Sequence, residues 1–397
     1  MHDKNKSHRL KIIIFDGSFK TTPFINRLVK GLAENHEIYI LGFNETLNHR
    51  LDNVNYVSLG NKQNKLQFII TSLAISYRIK GFRSFFKTFY LFYSGQRKVI
   101  EHQSFKAAVA TINPDVIHLQ WPSVLHWCET FLQTNKYKVV LSQRGSQTNI
   151  VPFTDEVNLE YLKKWYPKIA GFHSVSKAIS EKGNLIWNDT SKIDAVIYTG
   201  LQLEQFTFDT KYKVSKPLAL LSVGRAHSVK GYEYALRSCK LLKNNGVSFQ
   251  YTIIGGAEDE ELLYLINDLN LEKEVVLKPR MPQAEVFKIM KSSSLLIVPS
   301  IAEGIPNVAV EAMAIGLPSL STACGGVPEL IENNCEGWTV PTRNPEAMTI
   351  AIEKFIKTPI TEIEKIRQAA RRKVEKQHAE NQMVEGMERL YKEVIKL

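Results

Sequence analysis

Along most of the chain, short apolar runs alternate with stretches in which apolar residues recur every three or four positions. In the second half the runs "LALLSV", "FQYTIIG", "EVVL", "SLLIVP" and "LPSLST" read as strands. A helical stretch follows each, the clearest near Gly231 to Leu242 and Glu258 to Leu269. Apolar strands separated by helices belong to a parallel sheet covered on both faces. The first half repeats the scheme less cleanly, with strands predicted at "LKIIIF", "EIYIL", "DVIHL", "KVVLS", "GFHSV" and "AVIY". Between the halves lies "TGLQLEQFTFDTKYKVSKP", a polar stretch with Gly200 and Pro217 and little periodicity, which reads as a linker. The pattern predicts an α/β protein of two Rossmann-like domains, 1–205 and 206–378. An amphipathic helix within residues 379–397 is expected to pack back on the first of them.

Length agrees, since 397 residues exceed what one ordinary core holds, and two domains of this kind are expected to face a central cleft. With 44% hydrophobic and 23% charged residues the chain should fold throughout. A net charge of +11 calls for an anionic partner, whether a phosphate-rich small molecule, nucleic acid or a membrane surface. The cysteines, Cys128, Cys239, Cys324 and Cys335, are far apart without metal-ligand spacing, which argues for a reduced setting without structural zinc. The opening "MHDKNKSHRLKIIIFDG" has a polar leader and a short apolar run, a first strand rather than a signal peptide, and no segment reaches the roughly 20 apolar residues of a spanning helix. A cytoplasmic protein is expected.

In open α/β sheets, ligands bind beyond the carboxyl ends of the strands. Four such places carry chemistry. In "SVGRAHSVKGYEYAL", Arg225 and Lys230 follow a strand beside a helix start, a site for a diphosphate or else only a solvated basic loop. In "EGIPNVAVEAMAIGLP", Asn307 is expected to cap a helix ended by Gly316 and Pro318, so that Gly304, Ile305, Pro306, Asn307 and Val308 present backbone amides to an anion. Glu303 stands before that turn and Glu311 one helical turn inside; helix-dipole stabilisation could account for Glu311 but not for Glu303. "TACGGVPELI" places Gly325 and Gly326 where a ligand could approach the backbone closely, or where the pair only makes a turn. Arg280 follows "VVLKP", between stiffening prolines.

The order "SVGR", a lysine five residues after that arginine, "IIGG" and then "VPSIAEGIPNVAVEAMAIGLPSLSTACGGVPELI" strongly resembles the retaining GT-B glycosyltransferases of sequence family four, which use nucleotide-sugar donors. The likeness covers the second half well and continues through "DVIHLQWP", "HSVSKAISEK" and "YTGLQLEQF". It implies that Glu311 holds the donor ribose, Arg225 and Lys230 the diphosphate, and the amides from Gly304 to Val308 the sugar and departing phosphate. It implies further that Glu303 touches the transferred sugar and that the backbone around Arg280 meets the base. The chain also departs from the family. Relatives often carry a histidine near the acceptor where "VVLSQRGSQ" has Arg144, which cannot act as a base but can bind a phosphate of acceptor or donor. Arg144 is counted with Glu303 as a candidate catalytic residue. The amino-terminal loop keeps one glycine, Gly17, where many relatives have two, and Gly17 is counted with the substrate-binding residues. His118 reads as a core histidine. No D-x-D occurs, so a metal-independent reaction without a cofactor is expected, with the two cations in the metal's role.

Residues 62–106 hold nine Lys or Arg and one acid, Glu101, a local balance of +8. Ile79, Phe82, Phe86, Phe89, Tyr90 and Tyr93 fall on one helical stripe, with Lys80, Arg83 and Lys87 on the adjoining side. Such a helix either lies on an anionic membrane surface or packs its stripe on the core with its charges in water. The leading function is transfer of a sugar to a lipid-linked oligosaccharide or cell-surface polysaccharide, at the cytoplasmic membrane face. A nucleotide-sugar-binding protein without turnover and a nucleotide-sugar epimerase of the same fold are the alternatives. Nucleic acid is not expected as a partner, since no binding motif accompanies the charge, and the absence of G-x-G-x-x-G after a strand sets dinucleotide chemistry aside.

Overall fold

The computed structural model describes residues 9–43, 47, 50–60 and 64–396, without the side chains at 78–81, 83 and 84. Lys62 and the side chains of Ile79, Lys80 and Arg83, named above, lie outside the described residues. The chain divides into two compact units: residues 1–175, 180–200 and 380–397 form one, residues 176–179 and 201–379 the other.

The first unit is built on seven parallel strands, β1 (Lys11–Phe15), β2 (Glu37–Gly42), β3 (Val54–Ser58), β4 (Val116–Leu119), β5 (Lys138–Gln143), β6 (Gly171–Ser174) and β7 (Asp194–Val196). Their order is β3-β2-β1-β4-β5-β6-β7. Alternation along β1 shows why the sheet is covered twice: Ile13 and Phe15 enter one buried cluster with Phe105 and Trp127, while Ile12 and Ile14 enter another with Leu28 and Leu32 of α1 (Pro23–Ala33). The terminal helix Glu380–Ile395 belongs to this unit and supplies Met383, Met387, Leu390, Tyr391 and Val394 to the second cluster.

Beside the sheet, α2 (Lys65–Tyr93) packs on α3 (Arg97–Ile112). The Ser76 and Thr88 hydroxyls of α2 meet at 2.7 Å. Twelve residues of straight helix would separate them by about 18 Å, so the segment doubles back between them. Inside the bend lie the small polar residues Ser72, Ser76 and Thr88; the aromatic stripe faces outward, with Phe82, Phe86, Phe89 and Tyr90 60–68% exposed and Tyr93 89%. Of the two readings of the stripe, packing on the core does not hold for its described residues, because serine and threonine fill the close contact between the two arms.

The second unit holds six parallel strands, β8 (Leu218–Val223), β9 (Phe249–Ile254), β10 (Val275–Lys278), β11 (Leu295–Val298), β12 (Ser319–Thr322) and β13 (Trp338–Val340), in the order β10-β9-β8-β11-β12-β13. This is the doubly wound order, in which the winding reverses between β8 and β11 and opens a crevice at their carboxyl ends. The first sheet reverses likewise between β1 and β4. Two strands escape sequence reading. β3 is half-exposed along its length and lies at the sheet edge, and β13 is only three residues long.

Candidate functional site

Chain emerging from β8 and from β11 meets at the reversal point of the second sheet. After β8 come Gly224 and Arg225, then a 3-10 turn at Ser228–Lys230 and the helix Tyr232–Asn244. Gly231 joins them at φ +63°, and a Cβ there would lie 2.1 Å from the Pro299 carbonyl oxygen, so only glycine lets the turn sit against the end of β11. The Ile301 N–H donates to the Val229 carbonyl at 2.8 Å and ties the two loops together.

This closeness joins Lys230 to Glu303. The ammonium donates to Glu303 Oε1 at 2.6 Å, and the Ser300 hydroxyl donates to the same oxygen at 2.7 Å. Both charged side chains are partly covered, with Glu303 the more so at 12% exposure, which makes the pair stronger than an open surface bridge. Gly325 and Gly326 press onto the same loop: the Gly326 N–H donates to the Gly304 carbonyl at 3.0 Å, and a Cβ on Gly325 would stand 1.8 Å from the Glu303 carbonyl oxygen. The paired glycines thus serve backbone packing that fixes Glu303. Arg225 is exposed and forms no ion pair among the described residues.

The helix Asn307–Ile315 begins one residue earlier than a cap at Asn307 requires: Pro306 is the cap, with extended backbone and no side-chain bond, and Asn307 is the first helical residue. Proline at the cap leaves the Asn307 side chain inside the first turn, and its Oδ1 is buried without a partner. Pro306 also has no N–H to offer, so the loop presents four amides. Those of Gly304, Ile305, Asn307 and Val308 find no backbone acceptor among the described residues, leaving donors at a helix start where negative charge is favoured. Gly316 closes the helix at φ +82°, as the sequence indicated.

Glu311 receives a hydrogen bond from Gln283 Nε2 at 2.8 Å. Gln283 opens the helix Gln283–Ser292, three residues beyond the exposed Arg280, so the β10 loop and Glu311 are neighbours. Sequence reading missed Gln283 and Ser300, although Ser300 directly follows a strand-ending proline. Among the described residues, Glu332, Cys335 and Glu336 gather metal-ligating types on one turn, where Lys373 pairs with Glu336 at 3.4 Å. A cavity of about 690 Å³ in this unit is lined by Tyr212–Leu218 and by the chain around Ile356–Ile363, and holds none of the candidate residues.

The remaining two candidates belong to the first unit. Gly17 follows β1 at φ +90°. Arg144 follows β5, 9% exposed, and its Nη2 donates to Gln120 Oε1 at 3.3 Å and Ser142 Oγ at 3.4 Å. Its guanidinium carbon lies 4.7 Å from the centre of the Phe24 ring. Burial pushes it down to about 9, which keeps it protonated at neutral pH. His118 is wholly buried nearby, bonded to Tyr391 and Ser142.

Residues 204–373 match the family model described as glycosyl transferases group 1. The chain is 33% identical over 278 residues, 64% of its length and 67% of the relative's, to the amylovoran biosynthesis glycosyltransferase AmsK of Erwinia amylovora. It spans about half the length of two further bacterial relatives at similar identity. Among solved structures, sucrose-phosphate synthase from Thermosynechococcus elongatus superposes with a TM-score of 0.77 at 16% identity, over 98% of this chain and 100% of that one. Anabaena HepE in complex with UDP-glucose gives 0.72 at 14% identity, over 97% and 100%. These likenesses show the two-sheet α/β architecture to be the GT-B fold.

Proposed function

Because the chain belongs to the glycosyl transferases group 1, we propose that it moves a sugar, with retained anomeric configuration, from a nucleoside diphosphate to a lipid-linked oligosaccharide or cell-surface polysaccharide. The observation that carries this reading is the Lys230–Glu303 pair at the reversal point of the second sheet, set beside four free amides at a helix start. HepE binds UDP-glucose and AmsK is named for polysaccharide biosynthesis, which supports a nucleotide sugar and a polymer acceptor here as well.

Chemically, a leaving diphosphate gathers negative charge while the anomeric carbon becomes oxocarbenium-like. Arg225 and Lys230 meet the diphosphate, and Lys230 has two N–H groups to spare after serving Glu303. The amides of Gly304, Ile305, Asn307 and Val308 face the sugar and the departing phosphate. Glu303, held between Lys230 and Ser300, steadies positive charge on the sugar. Glu311, oriented by Gln283, takes the ribose hydroxyls, and the chain around Arg280 takes the base. Fixed cations replace a metal ion in this scheme. On the first unit, the outward aromatic rings of α2, beside the exposed cations Lys65, Lys87 and Lys98, support docking on an anionic membrane that presents the acceptor.

Purified protein is to be incubated with a panel of nucleoside diphosphate sugars and a lipid-linked acceptor extract, with product configuration read by NMR. Retention is expected, with turnover indifferent to EDTA. Lys230→Met and Glu303→Gln are each expected to lower kcat/KM by about 100- to 1,000-fold while the protein remains folded. Nucleotide binding without turnover on any donor would leave a sugar-nucleotide-binding protein in place of the enzyme.

A further inference from the structure

Among the described residues two arginines are deeply buried, and they are treated oppositely. Arg367, on the helix Ile360–Gln377, is 2% exposed; its guanidinium meets the Glu364 carboxylate and the carbonyls of Gly316 and Asp209. Arg144 has no such complement. Its Nη2 is shared between two neutral acceptors, its Nε is buried with no acceptor, and no carboxylate among the described residues bears on its charge. The Nε2 of Gln120, whose oxygen holds the guanidinium, is also buried without an acceptor. A lone buried cation is among the most costly arrangements a fold can retain, and it is kept where a ligand supplies the missing charge.

We propose that Arg144, with Gln120, seats an oxyanion of the acceptor, a carboxylate of an acidic sugar or a phosphate of its carrier, so that this transferase reads an anionic acceptor. The inference rests on the reading above, in which the second unit brings its own cations, Arg225 and Lys230, to the donor diphosphate. Arg144 follows β5 and Gln120 follows β4, so both side chains leave the carboxyl edge of the first sheet at neighbouring strands. Planar guanidinium N–H groups match carboxylate and phosphate oxygens two at a time, which a lysine ammonium cannot reproduce.

Melting temperatures of the intact protein test this, at fixed ionic strength, with inorganic phosphate, methyl glucuronide or methyl glucoside, each with and without saturating UDP. Phosphate or glucuronide is expected to raise the wild-type melting temperature and the neutral glucoside is not. Arg144→Met should weaken the anion response at least about tenfold, and Arg144→Lys should keep part of it. A response to glucuronide alone assigns an acidic sugar, and one to phosphate alone assigns a phosphate. Without ligand, Arg144→Met should melt no lower than wild type, because it removes an uncompensated charge, whereas Arg367→Met should melt well below it. The proposal is overturned if neither anion acts on the wild type, if both act equally on Arg144→Met, or if Arg144→Met alone abolishes the UDP shift. A wild type that answers to the anions but not to any nucleoside diphosphate would sink the transferase reading and leave the oxyanion seat standing.

Discussion

A hydroxyl placed between two imidazoles can donate to only one of them. Ser142 Oγ lies 2.8 Å from His118 Nε2 and 2.8 Å from His173 Nδ1, and the far nitrogen of His173 is 3.0 Å from the Ile197 carbonyl. That carbonyl can only accept, so His173 Nε2 carries a proton and its Nδ1 accepts from Ser142; Ser142 then accepts from His118, whose Nδ1 accepts from the Tyr391 hydroxyl at 2.7 Å. Every group of this wire is satisfied with both histidines neutral. Burial and the neighbouring positive charge of Arg144 agree, holding His118 well below its ordinary range and His173 down at about 3. In the unfolded chain both take protons near pH 6.5, so the stability they permit is complete above that value and is lost as pH falls below it, for His173 down to about 3. Each pH unit in that window should cost roughly 1 kcal/mol per histidine. Urea midpoints at pH 7.5 and 5.5 check the slope, which His118→Asn with His173→Asn should flatten; equal slopes would show that other groups control the acid limb. At this scale the sequence placed Glu303 before the turn and Glu311 on the helix, where both stand, and read His118 as core. The missing counter-charge of Arg144 was not readable, since it depends on what strands and helices distant in sequence bring beside it.

The doubled-back helix α2 shows what periodicity can and cannot say about an element. Its aromatic spacing was plain in the sequence, but spacing defines a stripe without saying which way it faces. The deciding residues are Ser72, Ser76 and Thr88, small and polar, which fill the inner side once the helix bends, and the bend itself leaves no periodic trace. Phe86, Phe89 and Tyr90 are then the residues to replace. Changing all three to serine should lower partition onto vesicles rich in anionic lipid by at least about 100-fold, at roughly 1 kcal/mol or more per ring withdrawn from the acyl boundary. Co-sedimentation measures it, and raising salt should weaken wild-type binding as well. Unchanged partition in the triple variant would remove α2 from any part in membrane contact.

For the molecule as a whole, the two parallel sheets were legible because each buries strands on both faces and so writes them as unbroken apolar runs. The division of the chain was less so. The main part of the second unit begins at residue 201, inside the stretch read as a linker, and the amphipathic pattern of the last residues pointed to the helix that completes the first unit's core, but nothing in composition assigns residues 176–179 to the second unit. Leu390→Ala, which opens a cavity between that helix and the sheet, should cost about 2–5 kcal/mol. Because two units are present, two unfolding transitions are expected, and only that of the first should move in urea denaturation followed by amide exchange. A shift of both together would mean that the units unfold as one.

Since Met383 to Val394 complete a core whose other members lie mostly before residue 200, the second unit is in effect an insertion within the first. A ribosome working from the amino end therefore releases the second unit ready to fold while the earlier one still waits for its closing helix. Birth order and folding order run opposite ways, and the half that would touch the membrane is the last to become competent.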